Sequence, residues 1–119
     1  MTGAVKSFDT PDEKREFPNG RGAIVHLATG SAAEVWMQPG WKWSESVKPI
    51  AGTESCQMRH VGYCLAGSIH VVQSDGAELD IRSGSVYEIE PGHDAWVVGD
   101  EAFNGLEFQS KTAEEYAKK

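Results

Sequence analysis

The sequence predicts an all-β fold, an antiparallel sandwich or barrel, and three observations carry that reading. Thirteen glycines and five prolines break the chain into short pieces. The pieces are rich in Val, Ile and aromatic residues, which suit a pleated, half-buried surface. Turn signals recur roughly every eight to twelve residues, a spacing typical of antiparallel strands.

The residues before Arg21, with Pro11, Pro18 and scattered acidic side chains, read as an arm crossing the surface. That places the arm at 1–20, the barrel at 21–109 and a tail at 110–119. Gly22–Thr29 and Ala32–Gln38 read as a hairpin turning at Gly30-Ser31, where glycine accepts the positive φ of a tight loop. Thr53–Ala66 reads as one long strand or a bent pair, ended by Gly67. Ser68–Gln73 returns, and Asp75-Gly76 turns the chain into Ala77–Arg82. Ser83-Gly84 leads into Ser85–Ile89, Pro91-Gly92 breaks that strand, and Asp94–Val98 and Phe103–Phe108 complete the pattern. Only Thr112–Lys119 has helical composition, with Ser110 or Thr112 and Glu115 available as a cap.

A chain of 119 residues has room for one domain. Its 11 basic and 18 acidic residues give a net charge of −7, with no basic run to displace counterions from phosphates, so a nucleic-acid partner is not expected. Met1–Lys14 has no apolar core of a signal peptide and no long apolar run follows, so a cytoplasmic protein without a membrane span is expected. Two cysteines, Cys56 and Cys64, are too few for a disulfide framework and read as thiols. No nucleophile elbow, phosphate loop, Cys-x-x-Cys pair or dinucleotide fingerprint is present. Glu88 and Glu90 share a strand face, as a solvated edge or as an acid–base pair.

The informative segment is Glu54-Ser-Cys-Gln-Met-Arg-His60. On an extended strand Glu54, Cys56 and His60 share one face, while Arg59 faces solvent. A carboxylate, a thiolate and an imidazole together suit zinc or another first-row metal. The alternative is a buried small thiol, a solvated carboxylate and a hydrogen-bonded core histidine. His26 and His70 lie in strands without a carboxylate or thiol nearby in sequence, and read as structural.

The segment resembles the first motif of the cupins, which runs Gly, five residues, His-x-His, three or four residues, Glu, six residues, Gly. Counting back from Gly67 puts His60 in the Glu position and Cys56 and Glu54 in the two His positions. Tyr63-Cys-Leu-Ala-Gly67 is similar to the end of that motif; its leading glycine is replaced by Lys48. The second motif runs Gly, five residues, Pro-x-Gly, two residues, His, three residues, Asn. From Gly84, the glycine of Pro91-Gly92 fits, Ala95 stands in the metal-histidine position, and His93 lies two residues earlier with the same strand parity. The resemblance covers Pro39–Phe108 and extends to Pro39-Gly-Trp-Lys-Trp-Ser, as in small single-domain bacterial cupins.

The resemblance implies a jelly-roll barrel holding a divalent metal, with Glu54, Cys56, His60 and His93 as ligands. The thiolate favours zinc, and iron is the other candidate. It implies an enzyme of lyase, isomerase or oxygenase type acting on a small organic molecule, or a non-catalytic ligand-binding or regulatory cupin. Trp41 and Trp43 share parity and, with Tyr63 and Trp96, are candidates to line a substrate pocket; core packing or a dimer interface is their alternative. A homodimer that covers an open sheet edge is expected.

Overall fold

The computed structural model describes residues 3–28, 30–53, 56 and 59–108. Nine strands and two short helices follow in the order β1 (Glu13–Phe17), β2 (Gly20–Leu27), β3 (Gly30–Met37), α1 (Trp43–Ser46), α2 (Lys48–Ala51), β4 (His60–Ala66), β5 (Ser68–Gln73), β6 (Glu78–Arg82), β7 (Val86–Ile89), β8 (His93–Val97) and β9 (Phe103–Phe108). Every strand pairing is antiparallel. A six-stranded sheet in the order β1-β2-β3-β9-β4-β7 packs on a three-stranded sheet in the order β6-β5-β8. The predicted all-β sandwich is the observed architecture.

Alternation fixes which side chains enter the core. β4 buries His60, Gly62 and Cys64, β8 buries His93, Ala95 and Val97, and β9 buries Phe103, Gly105 and Glu107, each with the intervening residues turned outward. Val35, Met37, Tyr87, Ile89 and Phe103 of one sheet meet Ile69, Val71, Ile81 and Val97 of the other. Among the described residues no helix is long and apolar enough to cross a membrane.

Three stretches differ from the sequence expectation. Within the expected arm, Glu13–Phe17 forms edge strand β1 and pairs with β2. The turn between them contains Asn19 at φ 63, a conformation Asn tolerates better than most side chains. Thr53–Ala66, expected as one long strand or a bent pair, is not one continuous strand: Cys56 makes an isolated bridge, and regular pairing begins at His60. Between β3 and that bridge the chain forms α1 and α2, the second with Pro in its first turn and Gly52 ending it at φ 76. The expected C-terminal helix at 110–119 and residue Glu54 lie outside the described residues.

Gly62 and Gly105 are spaces for one side chain. A Cβ on Gly62 would lie 2.2 Å from the Leu106 carbonyl oxygen and 2.8 Å from the Tyr87 hydroxyl, and one on Gly105 would lie 2.9 Å from the same hydroxyl. Tyr87 therefore lies across two glycines on neighbouring strands. Gly62→Ala is expected to cost about 1–3 kcal/mol or more through overpacking, read as a lower denaturation midpoint at unchanged slope.

Candidate metal centre

Cys56, His60 and His93 come together from three places in the chain. Cys56 pairs with His93 across an antiparallel bridge, the Cys56 N–H donating to the His93 carbonyl at 2.8 Å while the Gly92 N–H donates to the Cys56 carbonyl at 2.6 Å. Gly92, at φ 86, reverses the chain just before β8 and lets His93 open that strand facing inward. His60 opens β4. Sγ of Cys56 lies 3.5 Å from Nε2 of His60, the two imidazoles meet edge to face at 5.0 Å, and one donor atom from each residue falls within 4.8 Å of the others. All three side chains are buried.

Each imidazole is held by its other nitrogen. Nδ1 of His93 lies 2.7 Å from the Glu90 carbonyl oxygen, which can only accept, so the proton sits on Nδ1 and Nε2 carries the lone pair. Nδ1 of His60 lies 2.9 Å from Glu107 Oε1, and the Tyr87 hydroxyl donates to Glu107 Oε2 at 2.8 Å. Carboxylate or carbonyl on one nitrogen and an exposed lone pair on the other is the arrangement that orients metal-binding histidines. The donor set fits zinc in size as well: sulfur and nitrogen on one tetrahedral zinc, at bond lengths of about 2.3 and 2.0–2.1 Å, stand about 3.5 Å apart.

The charges of this cluster are coupled. Burial pushes the Cys56 thiol up, but hydrogen bonds with His60 and His93 outweigh it and bring the pKa down to about 6. Burial pushes the His60 imidazolium down, but the Glu107 carboxylate and Cys56 outweigh it and raise the pKa to about 10. Near neutral pH, metal-free Cys56 and His60 thus form a thiolate–imidazolium pair. Cys64, also buried, is a different thiol: burial raises its pKa, and its Sγ turns to the Ala66 carbonyl at 3.3 Å.

Beside the cluster lies a cavity of about 30 Å³, walled by Trp41, Trp43, Met37, Ile89, Ala95 and Phe103 among others. It holds about two water-sized groups. Trp41 and Trp43 are 3% and 2% exposed. The indole N–H of Trp41 is buried with no acceptor, an arrangement that costs about 1–3 kcal/mol while unmet. Tyr63 and Trp96 lie elsewhere. Tyr63 points outward from β4 at 38% exposure, and Trp96 on the outer face of β8 stacks on His70 at 5.0 Å with Lys42 above it. Strand parity accounts for both, since each is one residue from an inward position.

Glu107 and Tyr87 escaped the sequence reading. In β9 the outward residues Leu106 and Phe108 look more apolar than the inward Gly105 and Glu107, so hydropathy pointed the wrong way. Other polar residues are surface partners. His70 lies between Asp80 at 2.6 Å and Glu78 at 2.7 Å, which raise its pKa, and His26 bonds Ser31 and Glu13. Arg59 pairs with Glu90 and Glu88 on the exterior. For the metal-free protein, the ultraviolet absorbance of the Cys56 thiolate is expected to titrate with a midpoint near 6. In His60→Ala the midpoint should move above the ordinary thiol range, because burial then acts with one fewer opposing partner.

Neither a protein-family model nor a curated protein matches the chain. Solved structures do. Ectoine synthase from P. lautus superposes with a TM-score of 0.63 at 13% identity, over 90% of this chain and 78% of that one. The cupin domain of Schizosaccharomyces pombe Cnp3 gives 0.53 at 16% identity, over 80% and 63%. Bacillus subtilis oxalate decarboxylase, as a point mutant, gives 0.60 at 17% identity over 90% of this chain, which spans only 30% of that larger protein. With two packed antiparallel sheets and these neighbours, the chain has the cupin fold.

Proposed function

We propose that this cupin binds a single divalent metal through Cys56, His60 and His93, with Glu54 as fourth candidate ligand, and acts there on a small organic molecule. The carrying observation is the convergence of three buried donors, with the Nδ1 atoms of both imidazoles held by hydrogen bonds that leave Nε2 toward the cluster. The thiolate favours zinc over iron and manganese. Zinc would supply Lewis acidity and a more acidic bound water, and iron would add redox chemistry.

The chain's own residues divide the remaining work. Cys56 supplies a thiolate already formed near neutral pH, and Glu107 keeps the Nδ1 proton of His60 in place so that Nε2 faces the cluster. Tyr87 holds Glu107. Apolar walls exclude bulk water and strengthen every charge inside. A second reading, a non-catalytic ligand-binding cupin, draws on the small size of the cavity. It separates from the first by metal content and turnover: the second has a structural metal or none, and only the first predicts a bound metal with chemistry on a bound molecule.

Protein purified without chelator is expected to carry about one zinc per chain. His93→Ala and Cys56→Ser should each lower zinc affinity tenfold or more, and cobalt substituted into Cys56→Ser should lack the thiolate-to-metal absorption seen with Cys56. Unchanged affinity in both variants would remove the site. Because binding requires a thiolate and a neutral imidazole, each proton still held must leave. Within the Cys56–His60 pair, His60 alone still holds its proton between about pH 6 and 10, so the pair should make affinity rise about tenfold per pH unit there; below about 6 Cys56 holds one too, and the pair's contribution should approach a hundredfold per unit.

The expected homodimer is proposed on the outer face of β4 and the edge strand β7, supported by the half-exposed Val61, Tyr63 and Leu65 beside Val86 at 78% exposure. Val86→Lys should convert a dimer into monomer in light scattering, with the fold retained.

A further inference from the structure

We infer that the indole N–H of Trp41 anchors one oxygen of a ligand carboxylate whose other oxygen reaches the Cys56, His60 and His93 cluster. The inference rests on the reading of that cluster as a metal site. Trp41 is 97% buried by its 3% exposure, lines the cavity beside the cluster, and has a donor with no acceptor. The histidines and the tyrosine of the cavity are engaged, His60 and Tyr87 with Glu107 and His93 with the Glu90 carbonyl, and among the described residues Trp41 alone lines the cavity with a buried donor left unpartnered. A ligand oxygen is the acceptor this wall lacks.

The indole is also held in place. Its backbone N–H donates to the Gln38 carbonyl at 2.9 Å and its carbonyl accepts from Val97 at 3.0 Å, so Trp41 is tied both to the end of β3 and to β8. A fixed donor in apolar surroundings selects ligands by whether they present an acceptor, since an apolar group would leave the N–H unpaired. Volume narrows the class. About 30 Å³ accepts two water-sized groups, which matches the two oxygens of a carboxylate and excludes a bulky substituent beside them. The rest of such a molecule must point out of the cavity.

Formate is the smallest probe of this class. Zinc-loaded protein labelled with 15N is titrated with sodium formate while the indole N–H resonances of its four tryptophans are followed. One resonance should move downfield, and Trp41→Phe should identify it by its absence. Trp41→Phe should keep zinc stoichiometry and bind formate tenfold or more weakly by calorimetry. Equal formate affinity in the zinc-loaded variant, or a shift in a tryptophan other than Trp41, overturns the assignment to Trp41 alone. A wild-type chain that takes up no zinc overturns the metal reading and this one with it. Should Trp41→Phe not fold, the wild-type titration decides: no indole shift at saturating formate rejects the anchor.

Discussion

The site depends on a carboxylate placed where carboxylates are costly. Glu107 is 5% exposed on the inner face of β9, with Phe103 and Gly105 before it on the same face. Burying it charged requires partners, and removing one partner from a buried pair typically costs about 3–5 kcal/mol. Here Tyr87 supplies a hydroxyl from β7 and His60 an N–H from β4. The carboxylate thereby sets the tautomer of His60, raises its basicity and aims Nε2 at Cys56. One buried charge links two strands to the chemistry.

That linkage works only because the neighbouring backbone makes room. Gly62 pairs with both Tyr87 and Glu107, and Gly105 lies between Phe103 and Glu107, so the phenol passes over two positions without a Cβ. Any larger side chain would push the hydroxyl away from Glu107. Glycine in a strand weakens it, so these two sites exchange local strand propensity for a hydrogen bond in the core. The Glu107, Tyr87, His60 and His93 side chains thus hold their partners before any ligand arrives, while the buried indole N–H of Trp41 has none among the described residues.

Much of the fold was legible because turn chemistry is local. Asp75-Gly76, Ser83-Gly84 and Pro91-Gly92 stand where strands end, and Gly76, Gly84 and Gly92 all take positive φ. The hairpin through Asn19 was missed although Asn19-Gly20 is a turn signal, because Pro11, Pro18 and the acidic residues between them read as an arm. Cys56 and His60 were singled out by strand parity and His93 by the resemblance to the second cupin motif, yet the geometry that joins Cys56 to the others is not one continuous strand. A backbone bridge to His93 does it instead, a long-range pairing no local pattern encodes. Glu107 was invisible for a related reason: which face of β9 turns inward is decided by its partners, not by its own hydropathy.

His93 stands two residues before the position where the cupin-like spacing expects a histidine. His93 and Ala95 share the inward face of β8, and two residues along a strand are about 6.6–6.8 Å, far more than a metal–ligand bond. Backbone pairing is what sets His93 beside the other two donors: Cys56 is bonded to His93 backbone to backbone, His60 is the first residue of β4, and His60 pairs with Ile89 at the end of β7. All three donors lie at the same end of the sandwich. Ala95, one step along the same face, supplies no donor and lines the cavity beside the cluster. Because His60 and His93 both open their strands and Cys56 bridges to His93, the cluster is built where the chain enters β4 and β8. Trp41 and Trp43 are buried in the wall of the same cavity, so their indole rings shape the space next to the three donors.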